Sequence, residues 1–170
     1  MRTSFVAIAL IVIAFVTATA GERIRVTSSI TGLSVSYEPP MGWNYSTQPV
    51  DYGVYRSYQE WTIDRHIDRA GSTITVRIDP VTNLEHAVKD DCGPAPDAPV
   101  KTVGHVTIHG TRLEVRADPI TLNDQNAAWT TLTLGKSVLS LQLDAQTQKE
   151  LRHDIPIFLA FLRTVRVEDD

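Results

Sequence analysis

The sequence predicts an α+β domain in which an antiparallel β-sheet is covered by a short helix and a C-terminal helix. Three observations carry this. Period-two alternation of apolar and polar residues dominates residues 21 to 170, which is the signature of strands with one buried face. Only two segments show helical spacing. The gaps between alternating runs are short, which favours antiparallel pairing over crossover connections.

The chain opens with Arg2, an uncharged apolar run from Phe5 to Val16, and the small-x-small pattern of Ala18-Thr19-Ala20 before Gly21. A basic start, a short apolar core and a small-residue site read as a cleavable secretory signal over residues 1–20. The apolar run falls short of the ~20 residues of a bilayer span; a retained membrane anchor is the alternative. Residues 21–170 form the expected single domain, with no repeat or linker dividing them.

Leu33, Val35 and Tyr37 alternate with Ser34, Ser36 and Glu38 in the first strand. Ile74, Val76 and Ile78 mark a second, Leu113, Val115 and Ala117 a third, and Leu139, Leu141 and Leu143 a fourth. Val103 to Ile108 and Ala127 to Leu134 add two more, bounded by glycines. Tyr52, Tyr55, Tyr58 and Trp61 form an aromatic series in one further strand region, and Trp43 is expected to plug an edge of the domain. Leu84 to Lys89, starting near Thr82 or Asn83, has the spacing of a short helix.

The stronger helix spans Asp154 to Leu162, with Ile155, Phe158, Leu159 and Leu162 at i, i+3, i+4 and i+7. Asp154 is the expected N-cap and Pro156 belongs in the first turn. Thr147 to His153 adds an earlier turn, kinked or broken at the proline. Leu159 is expected to be buried, so its truncation to alanine should cost roughly 2–5 kcal/mol. Thr164 to Val167 reads as a closing strand, and Glu168-Asp169-Asp170 as a solvated tail.

The 170-residue chain carries 16 Lys+Arg and 20 Asp+Glu, a net charge of −4. Removal of the leader takes away one arginine and leaves −5. This balance disfavours nucleic acid and anionic lipid as partners, since both call for a basic face. The single cysteine, Cys92, lies between Asp91 and Gly93; it is either inert or bridges chains. Neighbouring carboxylates raise a thiol's pKa and work against a reactive thiolate.

Leu33-Ser34-Val35-Ser36-Tyr37-Glu38-Pro39-Pro40-Met41-Gly42-Trp43 resembles the opening strand, proline turn and Gly-Trp of PsbP/Mog1-like domains. Ile157 to Val167 resembles their last helix running into a final strand. The resemblance covers nearly all of residues 27 to 167. It implies an antiparallel sheet sandwiched by helices, a protein-binding accessory role without catalysis, and no catalytic residues to carry over.

Candidate chemistry is sparse. His105 and His109 lie in Gly104-His105-Val106-Thr107-Ile108-His109-Gly110, whose alternation says strand; their backbones are then roughly 13 Å apart. A zinc ion holds nitrogens at ~2.0–2.1 Å, so both are expected to face solvent. His66 and Asp68 are two apart in the charged run Asp64-Arg65-His66-Ile67-Asp68-Arg69, and Ala70-Gly71-Ser72 closes this as a hairpin. Asp90, Asp91 and Asp97 offer the oxygen ligands calcium takes, but they do not follow an EF-hand spacing and fall short of its six or more ligands. A solvated acidic loop is therefore expected, and a calcium site is the alternative. Cys92 with His86 lacks an orienting third group. Asn44-Tyr45-Ser46 fits the glycosylation sequon.

No metal or cofactor is therefore expected. The expected function is an exported, non-enzymatic protein-binding module, either a periplasmic immunity protein or inhibitor, or an envelope accessory protein. Its contact residues are expected to be Asp64, His66, Asp68, Asp90 and Asp91, on two polar loops. The alternative is a small exported hydrolase or metal-dependent enzyme using His66, Asp68 or the Asp90-Asp91-Cys92 loop.

Overall fold

A computed structural model of the chain describes residues 15–50, 58–65, 71–83, 100–118 and 126–168. Among them, β1 (Phe15–Thr17), β4 (Asn44–Ser46), β5 (Gln59–Asp64), β6 (Thr73–Pro80), β7 (Lys101–Ile108), β8 (Thr111–Asp118), β9 (Asn126–Leu134) and β10 (Ser137–Ala145) form one eight-stranded sheet. Its order is β1-β4-β5-β6-β10-β9-β8-β7, and every pairing is antiparallel. A three-stranded sheet, β11-β3-β2, is built from β2 (Ile24–Thr27), β3 (Ser34–Tyr37) and β11 (Arg166–Glu168). One α-helix, α1 (Gln148–Leu162), joins β10 to β11. The α+β class follows directly from these elements.

The alternation sorts the large sheet as expected. Ile63, Ile74, Leu143 and Ala128 face one another across β5, β6, β10 and β9, all buried. Trp61, Val76 and Leu141 form the next row on the same face. This face, the inward side of α1 and the apolar residues Val26, Val35 and Tyr37 of the small sheet share a single core cluster. Trp43 and Tyr45 are both buried in it. At the β7–β8 turn, His109 and Gly110 both have positive φ, 49° and 74°. Two such residues between paired Ile108 and Thr111 make the mirror-image turn that matches strand twist.

Helix α1 crosses the large sheet against β7, β9 and β10. On β7 the register slips between Thr102 and Gly104, a bulge beneath the helix. A Cβ on Gly104 would stand 2.8 Å from Leu159 Cδ2, so the missing side chain is what lets α1 approach.

Four expectations are corrected. The helix starts six residues before Asp154. Thr147 is the N-cap, its Oγ1 accepting from the Glu150 N–H while Glu150 accepts from the Thr147 N–H. This capping box satisfies two orphan amides and outweighs the proline signal. Pro156 then lies inside the helix, on its exposed side. Second, β3 is buried on both faces, not one. Ser34 and Ser36 tolerate this because they hydrogen-bond Thr27 and Glu168. Third, Glu168 belongs to β11, not to a solvated tail, for the same reason. Fourth, Leu159 is only half-buried; Leu151, Phe158, Phe161 and Leu162 carry the buried stripe.

The three-stranded sheet is an addition to the expected cover. The short helix over Leu84 to Lys89 falls outside the described residues, which reach Asn83 in a 3-10 turn, Val81–Asn83.

Candidate functional site

Strands β5 and β6 form the hairpin expected around Asp64 to Ser72, closed by the Arg65 N–H donating to the Ser72 carbonyl at 3.0 Å. Its base is fastened to the middle of α1. Asp154 sits one turn before Phe158 on the apolar face of the helix and is fully buried. Ser72 Oγ donates to Asp154 Oδ2 at 2.6 Å. Arg65 Nη1 reaches Oδ1 and Oδ2 at 2.7 and 2.8 Å. His153 Nδ1 lies 2.7 Å from Oδ1. An ionised carboxylate only accepts, so Nδ1 carries the proton there.

Burial alone would raise the Asp154 pKa. The hydrogen bonds from Ser72, His153 and Arg65, with the charge of Arg65, outweigh it and hold the carboxyl below the ordinary aspartate value. The network therefore keeps a charged carboxylate at the root of the hairpin. Ser72 bonds to the carboxylate and not to the imidazole, so the three residues do not make a nucleophile–base–orienter relay. Their arrangement ties the ends of β5 and β6 to α1.

The outward face of the large sheet carries a second group of charges. Asp64, Thr73 and Asp144 lie in one row across β5, β6 and β10, with Glu60, Arg77 and Ser140 in a parallel row. Thr73 Oγ1 donates to Asp64 at 2.7 Å. Burial pushes the Asp144 carboxyl up to about 6; the Gln142 amide, donating at 2.7 Å, works against that shift and the charge of Glu60 adds to it. Arg77 is held bidentately by Asp79 at 2.8 and 3.0 Å and packs 3.6 Å from the centre of the Tyr58 ring.

Of the five residues expected to make contacts, Asp64 is placed at the end of β5, partly exposed. His66, Asp68, Asp90 and Asp91 lie outside the described residues, as do His86, Cys92, Asp97, Tyr52 and Tyr55. His105 and His109 are exposed, on β7 and its turn, as expected from the strand spacing. Asn44 of the sequon is half-buried and accepts from Thr17 Oγ1 at 2.7 Å. The residues missed were Arg65, Ser72, His153, Asp154 and Asp144. A carboxylate at position 154, three after Leu151 and four before Phe158, was the available signal, because an acid on an apolar stripe demands partners.

Among the described residues, no three His, Cys, Asp or Glu side chains gather as a metal site. No helix among them is long and apolar enough to cross a membrane. No family model, no curated protein and no solved structure matches this chain.

Proposed function

We propose that the chain is an exported protein-binding module without catalytic activity, shaped as a PsbP/Mog1-like sandwich. A periplasmic immunity protein or inhibitor, or an envelope accessory protein, is the role that fits. The observation that supports this is the anchoring of the hairpin base. Arg65 and Ser72, at the facing ends of β5 and β6, both bond to a buried helical carboxylate, and loops on a fixed scaffold commonly carry recognition. The partner is a protein with a basic surface, met by Asp64, His66 and Asp68 on the hairpin and by Asp90 and Asp91 on the second loop. The net charge of −4 is consistent with that choice and with the exclusion of nucleic acid.

The test is capture of the partner from an envelope fraction with the full chain, followed by calorimetry. Reversing Asp90 and Asp91 to lysine should weaken binding, more at low salt than at high. Unchanged affinity removes the second loop from the interface. A substrate whose turnover is abolished by His66→Ala overturns the non-enzymatic reading.

A further inference from the structure

We propose that the folded chain protects its own leader from removal, so that processing after Ala20 is confined to the chain before its sheet closes. The inference rests on the export reading of residues 1–20. Two features carry it, one upstream of the Ala20–Gly21 bond and one spanning it.

The first is a strand. β1 lies upstream of the cleavage site and is the edge strand of the large sheet, with Phe15, Val16 and Thr17 opposite Ser46, Tyr45 and Asn44. The pairing continues one residue further. The Ala18 N–H donates to the Trp43 carbonyl at 2.7 Å, and the Gly42 N–H donates to the Ala18 carbonyl at 3.1 Å. Ala18, the first small residue of the small-x-small pattern, is 3% exposed and belongs to the core.

The second is a turn. The Glu22 N–H donates to the Thr19 carbonyl at 3.3 Å, and Gly21 has φ of 74°. The Ala20–Gly21 amide is thus the central peptide of a tight turn, with glycine at the one position where positive φ is needed. Glu22 locks that turn. Its Oε2 accepts from the Thr19 N–H and hydroxyl at 3.2 and 3.1 Å, and its Oε1 from the Tyr45 hydroxyl at 2.6 Å.

A peptidase that reads small residues at alternate positions binds its substrate as an extended strand. Here one of those residues is buried and the scissile bond is folded into a turn. Hydrolysis, with water adding across the amide to give the Ala20 carboxylate and the Gly21 amine, therefore requires β1 to leave β4 first. The cleavage rate of the folded chain then follows the small population in which that edge is open.

The experiment uses the full chain, a purified leader peptidase specific for small-x-small sites, and mass spectrometry of the products. The reference is the full-length variant Ile74→Asp, which places a charge in the core and keeps the chain unfolded in the same buffer. The folded chain should be cut after Ala20 at least about tenfold more slowly than this reference. Val16→Pro removes a strand amide at a 40% exposed position, leaves Ala18-Thr19-Ala20 intact, and should restore fast cleavage. Equal rates for the folded chain and the unfolded reference overturn the proposal, whatever Val16→Pro does. An unfolded reference left uncut after Ala20 overturns the export reading itself, and the protection with it.

Discussion

Ser72 and Asp154 are 82 positions apart in the chain and 2.6 Å apart in the fold, joined by a hydrogen bond from hydroxyl to carboxylate. The contact ties the β5–β6 hairpin to the centre of α1. It also explains why a fully buried acid is tolerated on a helix face that otherwise carries Leu151, Phe158 and Phe161.

Asp154→Ala should cost about 2 kcal/mol. The value lies below the 3–5 kcal/mol typical of breaking a buried ion pair, because Arg65 is about a third exposed and solvent takes over its charge. The folded carboxyl sits below its ordinary value of 3.8, so its stabilisation is present above that pH and is lost as the pH falls through the folded value. Denaturant titrations from neutral pH down into this acid range should show a steeper loss for the parent than for Asp154→Asn. Parallel curves would mean that the carboxylate contributes nothing as an ion.

Asp144 works in the opposite direction. Its folded value of about 6 lies above the unfolded one, so the ionised form is disfavoured in the fold and the penalty is relieved as pH drops through 6. Asp144→Asn should stabilise the protein by roughly 1–2 kcal/mol at pH 8 and by nothing near pH 4. A gain independent of pH would assign the effect to packing instead of charge.

Tyr37 has the only side-chain polar atom, among the described residues, that is buried without a hydrogen-bond partner. Its ring meets Phe161 edge-on at 5.5 Å, a contact that phenylalanine keeps. An unsatisfied hydroxyl carries a desolvation cost with no return, so Tyr37→Phe should be neutral or stabilising by up to ~1 kcal/mol. A clear loss of stability on thermal or chemical unfolding would reveal a partner for that oxygen.

The helix offers a graded series. Thr147→Ala removes the capping box and should cost about 1 kcal/mol. Leu162→Ala, at a fully buried position, should cost roughly 2–5 kcal/mol. Leu159→Ala should cost less, about 1–2 kcal/mol, since Leu159 is half-buried over Gly104. Equal losses at 159 and 162 would mean that both leucines are packed alike.

The sequence alone reveals the class of the fold, the strands around Ile74, Val115 and Leu141, and a C-terminal helix running into a last strand. These follow from periodicity, because each strand or helix must turn one apolar face to a core, and that demand is written locally. It did not place the helix start, since Asp154 and Pro156 make a plausible N-terminus on their own. Thr147 and Glu150 outbid them through a cap whose energy shows only when the whole helix is built. The two-sided burial of β3 was hidden for a similar reason: Ser34 and Ser36 read as solvent-facing until β2 and β11 arrive to bond them. The hairpin anchor was the least legible feature, because Arg65 and Ser72 carry no spacing signal and the place of Asp154 on the apolar stripe says that it needs partners without saying which. Only the docking of α1 beside the hairpin brings them within hydrogen-bonding distance, and burial then makes their mutual satisfaction obligatory.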